Sequence, residues 1–144
     1  MDKKLRIVDV AHLNKMGQNT MLDILGIKIT AVGEDFVEGT MPVDKRTHQV
    51  HGILHGGASV ALAETLGSIG AALAVDTKQF RCVGLEINAN HISSVSSGTV
   101  TGVARPLHLG RSTQVWEIKI HNEDKKLVCV SRLTIAVVAI TNKA

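Results

Sequence analysis

A short stretch in the middle of the chain concentrates the side chains that could do chemistry. It reads HQVHGILHGGASVALAETLGS, with three histidines and a glutamine before two glycines and one acid, Glu64, further on. The run from Ala58 to Ala63 is apolar and lacks proline, which predicts a helix that carries the acid. Free N–H groups at a helix start can bind a carbonyl oxygen, and a carboxylate can attack a carbonyl carbon or activate water. We therefore take this stretch as the candidate site.

Among the polar residues of this stretch, Glu64 is the strongest candidate for a catalytic role, because it interrupts a run of small apolar residues on a helix that we expect to be buried. A buried carboxylate without a partner costs several kcal/mol, or its pKa rises. The composition of the stretch leaves a second interpretation open, in which Glu64 points to a solvent-facing edge of the helix. Ser68 lies four residues on, on the same helix face, where its hydroxyl could hold a water molecule or the carboxylate.

Gly56 and Gly57 stand where the helix is expected to begin, before its predicted first residue Ala58. Their N–H groups would be free, and the positive end of the helix dipole would face a carbonyl oxygen or an anion. Two glycines that only permit a tight turn are an equally common explanation.

The histidines at 48, 51 and 55 raise the question of a metal site. No Asp, Glu or Cys at a familiar ligand spacing completes the set, so we expect no metal. The residues give no role for His48 or His51.

The composition limits the class of protein. A chain of 144 residues with 44% hydrophobic content suits one domain, residues 1–144, with one packed core. The formal charge of +3 comes from scattered basic residues, and one Trp, two Phe and no Tyr leave few platforms for stacking bases. We expect no nucleic-acid partner, and the mild positive charge better fits a small anionic ligand such as a phosphorylated cofactor.

Cys82 and Cys129 lie far apart in apolar runs, which indicates reduced thiols and a cytoplasmic location. The N-terminal stretch lacks the long apolar core of a signal peptide. Glu64, Ser68 and Asp76 interrupt the longest apolar stretches, so we expect no spanning helix and no membrane partner.

The pattern of apolar residues predicts the order helix, two strands, one long helix, then about four strands. One or two short helices fall between Val8 and Leu25, within an N-terminal helical segment of residues 1–25, and Gly26 ends the second. The predicted strands are Ile27 to Val32, Phe36 to Val43, Arg81 to Ile92, Gly98 to Arg105, Gln114 to His121 and Leu127 to Ile140, and the long helix is Ala58 to Val75. Pro106 to Gly110 is predicted to be a break between strands.

The connections are too short for parallel crossovers, so the fold class is α+β, an antiparallel sheet around a single long helix. Gly67, Gly70, Ala71 and Ala74 form a stripe of small residues that would let the sheet approach the helix closely. We expect the sheet to wrap the helix on most sides.

Four segments carry a resemblance to a known family: HGILHGGASVALAETLGS, GLEINANHISSVSSG, PLHLGRSTQVWEIKI and SRLTIAVV. They resemble the hotdog-fold acyl-CoA thioesterases of the phenylacetate-type branch. The resemblance covers the chain from Asn19 onward, and its most specific part is HGG followed by six residues and Glu. Within the branch, the segments are most similar to the subfamilies that act on 1,4-dihydroxy-2-naphthoyl-CoA in menaquinone synthesis or clear misloaded aryl carriers in enterobactin synthesis.

The resemblance implies a role for each matching residue. The catalytic acid falls on Glu64, and the amide that polarises the carbonyl falls on Gly56 or Gly57. Gln49 and His55 match the glutamine and the histidine before the helix, and Ser68 stands one turn past the acid. The substrate would be an aromatic acyl thioester of coenzyme A or of a carrier protein, with no other cofactor.

Glu64 lies eight residues after Gly56, which is about 12 Å along a helix axis. One carbonyl cannot contact both, so the acid and the amide of one site are expected to come from different subunits. The resemblance implies the same arrangement, in a homodimer or a homotetramer.

Coenzyme A is recognised largely through its phosphates, which favour cations and backbone amides. The candidates in the NHISS segment are His91 and Ser93, and those in the PLHLGR segment are His108, Gly110 and Arg111. For Arg111, a solvated arginine in a turn explains the sequence as well.

Two other functions are compatible with such a fold. A hotdog dehydratase would use a histidine before a proline-bearing helix start, whereas this chain has Gln49 at that position and no proline there. The nearby His48 and His51 keep this alternative open. A non-catalytic acyl-CoA sensor would lose the acid and add an effector module, whereas this chain keeps Glu64. The sequence therefore favours hydrolysis.

Overall fold

The computed structural model describes residues 4–141. Two short helices, α1 and α2, precede the hairpin β1–β2, the long helix α3 and four further strands. Their bounds are α1 Val10–Met16, α2 Met21–Leu25, β1 Lys28–Val32, β2 Val37–Pro42, α3 Gly56–Leu73, β3 Phe80–His91, β4 Thr99–Leu109, β5 Thr113–His121 and β6 Leu127–Ala139. This order confirms the predicted one. Gly26 ends α2 with a left-handed φ of 69°, as predicted.

The six strands form one antiparallel sheet in the order β1-β2-β4-β5-β6-β3, so β1 and β3 are its edges. Five of the strands, β2 to β6, pack against α3. The predicted α+β hotdog fold, an antiparallel sheet around one long helix, is confirmed.

Glycines let the helix and the sheet approach each other closely. A Cβ at Gly39 or at Gly102, which are paired across β2 and β4, would come within 2.8 Å of a Leu66 methyl group. A Cβ at Gly70 would come within 2.6 Å of the Trp116 ring. A Cβ at Gly67 would likewise come within 2.6 Å of a Leu133 methyl group, so Gly67 and Gly70 face the sheet, as the sequence predicted.

The long helix begins and ends earlier than predicted. His55 caps its N-terminus, so α3 starts at Gly56 instead of Ala58. Ala74 is the C-cap, so the helix ends at Leu73, two residues before the predicted Val75.

The prediction that Pro106 breaks the fourth strand is wrong. β4 continues to Leu109, and a register shift between Pro106 and His108 leaves one extra residue opposite β5. Since β2 pairs with β4 only as far as Ala104, the proline lies where the strand lacks one neighbour, and such positions tolerate proline. His108 therefore lies in a strand and not in a turn.

The sheet packs against one face of α3 and leaves the opposite face half-buried in the single chain. The half-buried residues of the helix are Gly56, Val60, Ala61, Glu64, Thr65, Ser68, Ile69 and Ala72. By length and composition α3 is apolar enough to cross a membrane, but it is the core helix against which the strands pack.

Candidate active site

The start of α3 offers one free amide and not two. The N–H of Gly57 donates to Nδ1 of His55 at 2.7 Å, so the expectation of a free N–H is wrong for Gly57. The N–H of Gly56 has no acceptor within residues 4–141. Because Nδ1 of His55 accepts a hydrogen bond, the neutral ring carries its proton on Nε2. A carbonyl oxygen at this helix end would therefore meet the N–H of Gly56.

A pocket of about 270 Å³ lies between this helix start and the end of β3. It brings together four of the residues predicted from the sequence, Gln49, Gly56, His91 and Ser93. The remaining lining residues are Ile53, Leu54, Ser59, Ile92, Ser94 and Val128. The predicted helix-start residues and one of the two predicted coenzyme A groups thus share one pocket.

Hydrogen bonds hold the loop that carries Gln49. Its backbone N–H donates to the carbonyl of Ile53 at 2.8 Å, and its side-chain Oε1 accepts from the N–H of His51. The ring of His48 is 2.9 Å from the carbonyl oxygen of Ser96, which ties this loop to the segment after β3. His48 thus has a structural contact that the sequence did not suggest.

No group of three or more His, Cys, Asp or Glu side chains is arranged to hold a metal ion in the part of the chain that the structure describes. Ser93 donates its hydroxyl hydrogen to the carbonyl of Leu127. The hydroxyl hydrogen of Ser93 is therefore already used, whereas the N–H of Gly56 has no acceptor among the described residues.

Glu64 lies on the half-buried face of α3, beside Gly84 of β3. Its Oε1 is 2.7 Å from the position that a Cβ of Gly84 would occupy. Within residues 4–141 the carboxylate accepts no hydrogen bond and forms no ion pair. Burial raises the pKa of Glu64 above the ordinary value of 4.5. Ser68 lies on the same face, one turn further along.

A single chain keeps Glu64 and the pocket apart. The residues that line the pocket do not include Glu64 or Ser68. Eight residues of continuous helix separate Gly56 from Glu64, which corresponds to about 12 Å.

The second predicted coenzyme A group lies at the opposite end of α3. Gly110 and Arg111 line a pocket of about 210 Å³ with Ala74, next to the end of the helix. The N–H of Gly110 donates to the carbonyl of Thr113 at 2.9 Å and closes the β4–β5 hairpin. A Cβ at Gly110 would lie 2.5 Å from Nε2 of His108, so these two residues are neighbours.

Sequence reasoning missed Gly84. A glycine inside a strand pattern is a signal for a bulge or for the close approach of another group. A separate pocket of about 560 Å³ lies between α1, α2 and β1, and no predicted site residue lines it.

Comparison with known proteins gives a consistent picture. Residues 51–129 match the family model described as thioesterase superfamily. The chain is 50% identical over 132 residues to the 1,4-dihydroxy-2-naphthoyl-CoA hydrolase of Escherichia coli, covering 92% of this chain and 96% of that protein. It is 53% identical over 133 residues to the proofreading thioesterase EntH of Cronobacter turicensis, with the same two coverages of 92% and 96%.

Solved structures agree with the sequence relatives. The crystal structure of a mutant thioesterase from Pseudomonas aeruginosa superposes with a TM-score of 0.93 at 49% identity. The match covers 96% of this chain and 99% of that one. Sequence and structure thus point in the same direction over almost the whole chain.

Proposed function

Since the chain belongs to the thioesterase superfamily, we propose that it hydrolyses aromatic acyl-CoA thioesters with Glu64 as the catalytic carboxylate. It is a hotdog-fold thioester hydrolase. The observation that carries the proposed role is the state of Glu64, a half-buried carboxylate with a raised pKa and no partner among residues 4–141. A carboxylate that burial has made more basic is suited to take a proton or to attack a carbonyl carbon.

In the proposed reaction, the N–H of Gly56 and the positive end of α3 bind the carbonyl oxygen as it becomes negative. Glu64 either attacks the carbonyl carbon, forming an anhydride that water then opens, or takes a proton from the water that attacks. The C–S bond breaks, and the sulfur takes up a proton and leaves as coenzyme A. Both routes consume one water molecule and release the acyl group as the free acid.

Gln49 and Ser68 have supporting roles in this proposal. The side-chain oxygen of Gln49 already accepts from His51, which leaves its two amide hydrogens for the thioester. Ser68 lies one turn after Glu64 on the same face, where its hydroxyl can hold the attacking water.

The two halves of this site belong to different copies of the chain in our proposal. A thioester held by Gly56 is about 12 Å from Glu64 of the same chain, whereas a catalytic contact requires about 3 Å. A second copy must therefore supply the carboxylate.

Strand β3 is the surface that we propose for the second copy. It is a 12-residue edge strand that pairs with β6 on one side only. An unpaired edge of this length presents a row of N–H and C=O groups to another strand. Val83 and Leu85 on this edge are 50% and 63% exposed in the single chain. Antiparallel pairing of two β3 strands would remove both edges.

The positions of the two half-sites along β3 suggest the register of that pairing. Gly84 lies beside Glu64, and His91 lies beside Gly56. Antiparallel pairing centred near Ile87 brings Gly84 of one copy next to His91 of the other. The same pairing carries the Glu64 of one copy towards the Gly56 of the other.

Coenzyme A would then extend across both copies. His91 and Ser93 lie next to the thioester position, in the pocket with Gly56. In this proposed dimer the two α3 helices run in opposite directions. The β4–β5 hairpin of the second copy, which carries Arg111, would therefore lie near the start of α3 in the first copy. A guanidinium there suits the phosphates of coenzyme A.

The aromatic acyl group is proposed from the named relatives, one of which acts on a naphthoyl-CoA. Ala61 and Ser68, the neighbours of Glu64 on the half-buried face of α3, are small and leave room for a flat ring. A preference for the naphthoyl ester would favour a role in menaquinone synthesis.

The experiment that tests this proposal measures free thiol released from a panel of CoA esters. Benzoyl, hydroxybenzoyl and dihydroxynaphthoyl esters are compared with hexanoyl and decanoyl esters. We expect kcat/KM at least about tenfold higher for the aromatic esters, because a few added contacts in a fitted pocket give a factor of this size. A preference for the aliphatic chains would contradict the proposed substrate class, and binding without thiol release would contradict the hydrolytic site.

A further inference from the structure

Gly84 occupies a position where any side chain would meet the carboxylate of Glu64. A Cβ there would lie 2.7 Å from Oε1 and 3.8 Å from Cδ of Glu64. These are the only atoms within 4 Å of that position when its chain neighbours are left out, among the described residues. The backbone of Gly84 is not in the left-handed region, so its conformation does not require glycine. Glycine at this position therefore provides space for the Glu64 carboxylate and is not needed for the backbone conformation.

A register shift in β3 begins at the same residue. Gly84 pairs with Ile135 of β6, and Glu86 pairs with Thr134, so Leu85 is an extra residue in the ladder. Such bulges change the direction in which the following side chains point, and they are common next to active sites.

The bulge changes which residues of β3 face the helix. Before it, Cys82 faces α3, because its thiol is 3.4 Å from the carbonyl of Ala71. Alternation places Gly84 on the same face and would place Glu86 there too. Beyond the bulge, however, Ile87 packs against the core, and Glu86 accepts a hydrogen bond from Asn88 on the outer face. The bulge thus keeps a second carboxylate away from Glu64.

We infer that Gly84 is the positioning residue for the Glu64 carboxylate, leaving the space that Oε1 must occupy at the start of the bulge in β3. This inference rests on the proposed function, because it assumes that Glu64 carries out the chemistry. It adds to that proposal a residue on a different element that acts only through the carboxylate.

The test begins with Gly84→Ala. The atom that the new methyl group would displace is the far end of a flexible side chain, so the fold should tolerate the change. The carboxylate must move, and a displacement of about 1 Å can lower turnover by about 10²-fold. We expect kcat to fall between about 10-fold and 100-fold while KM changes less than about threefold. Val138→Ala, an exposed valine on the neighbouring strand β6 that has no part in the proposed site, is the matched control and should keep wild-type kcat.

A double-mutant cycle with Glu64→Asp separates positioning from a general structural role. The shorter acid withdraws its carboxylate by one methylene, which leaves room for a methyl group at Gly84. We therefore expect Gly84→Ala to lower kcat by less than about twofold in the Glu64→Asp background. An equal loss in both backgrounds would overturn the inference, because the methyl group would then act through something other than the carboxylate.

The two proposals fail in different ways. If Glu64→Gln keeps its activity, the proposed function is wrong. If Glu64→Gln is inactive and Gly84→Ala has wild-type kcat, the positioning role is wrong and the proposed function stands. If Gly84→Ala does not fold, the Glu64→Ala/Gly84→Ala double variant decides the question. Recovery of the fold in that variant supports the contact with Glu64, and continued unfolding overturns it.

Discussion

The ring of His91 lies over Gly56, with Nε2 2.9 Å from the position that a Cβ of Gly56 would occupy. Gly56 has no left-handed φ that would demand glycine. Because Gly56 lacks a side chain, its N–H, which is unbonded within residues 4–141, stays accessible beside the His91 ring. This N–H lies at the end of the helix where the dipole is positive. The neighbouring Gly57 has already given its N–H to His55.

Gly56→Ala should lower kcat/KM by about 10²–10³-fold, the range observed when an oxyanion-binding donor is lost. The methyl group would collide with His91 and cover the free N–H. Gly57→Ala should cause a smaller loss, because its N–H is already bonded. Thiol release from the preferred aryl-CoA measures both variants, and equal losses would contradict the assignment of the free amide to Gly56.

Glu64→Gln should fold normally and lose most of its hydrolysis, because an amide can neither attack the carbonyl nor accept the proton. We expect kcat to fall by about 10²–10⁴-fold, the usual range for acid–base groups. Substrate binding should survive, which equilibrium binding of a non-hydrolysable thioether analogue can measure. More than about a tenth of wild-type turnover would show that another group is the catalytic carboxylate.

The pH dependence of activity should report the buried state of Glu64. Both proposed routes need the ionised carboxylate, so kcat should fall as the pH drops through the raised pKa of Glu64. Burial raises that pKa above 4.5, and the acidic limb should therefore lie at a higher pH than for a surface glutamate. A pH profile of kcat with an acidic limb at or below pH 4.5 would contradict this expectation.

The same shift predicts an effect on stability. The folded state holds its proton more tightly than the unfolded chain, so the free energy of unfolding should fall as the pH rises from 4.5 through the higher folded-state pKa. Glu64→Gln removes this dependence. At neutral pH the variant should be at least as stable as the wild type in urea denaturation, and a clear loss of stability would contradict the burial effect.

Mixed subunits test whether the site is shared. Glu64→Gln and Gln49→Ala should each be inactive alone, and co-expression with two affinity tags allows isolation of the hybrid dimer. If the site is shared, one of the two sites in the hybrid combines the unchanged Gln49 of one subunit with the unchanged Glu64 of the other. The hybrid should therefore regain up to about half of the wild-type activity. The factor of one half arises because one of the two sites in the hybrid is intact, and the expectation of sharing rests on the offset of about 12 Å between Gly56 and Glu64. Inactive hybrids, or an active monomer by light scattering, would contradict the shared site.

The sequence predicted the strands and the long helix because period-two alternation and an uninterrupted helix-forming run are local signals. It failed at Pro106, because a proline within a strand is usually a break, and only the absence of a β2 neighbour makes it acceptable there. It also assigned two free amides to the helix start, since a histidine is not among the preferred capping residues.

For the candidate site, the sequence identified Gln49, Gly56 and His91, and the fold brings them into one pocket. Helix geometry also placed Glu64 about 12 Å from Gly56. The absence of Glu64 from the lining of that pocket agrees with this separation. Gly84 carried a local signal, but the side chain that fills its space lies twenty residues away in the sequence and is known only from the packing.

The packing of Trp116 against Gly70 also gives the protein an internal optical probe. The chain has one tryptophan and no tyrosine, and this indole is fully buried, with its Nε1 donating to Gln114 at 2.9 Å. Its emission should therefore report whether the helix still rests on the sheet, and it should be nearly silent about events at the exposed edge of β3. A diluted sample whose light scattering falls while its emission maximum stays blue-shifted would be separating into folded subunits. A shift to longer wavelength would mean that the core itself had opened.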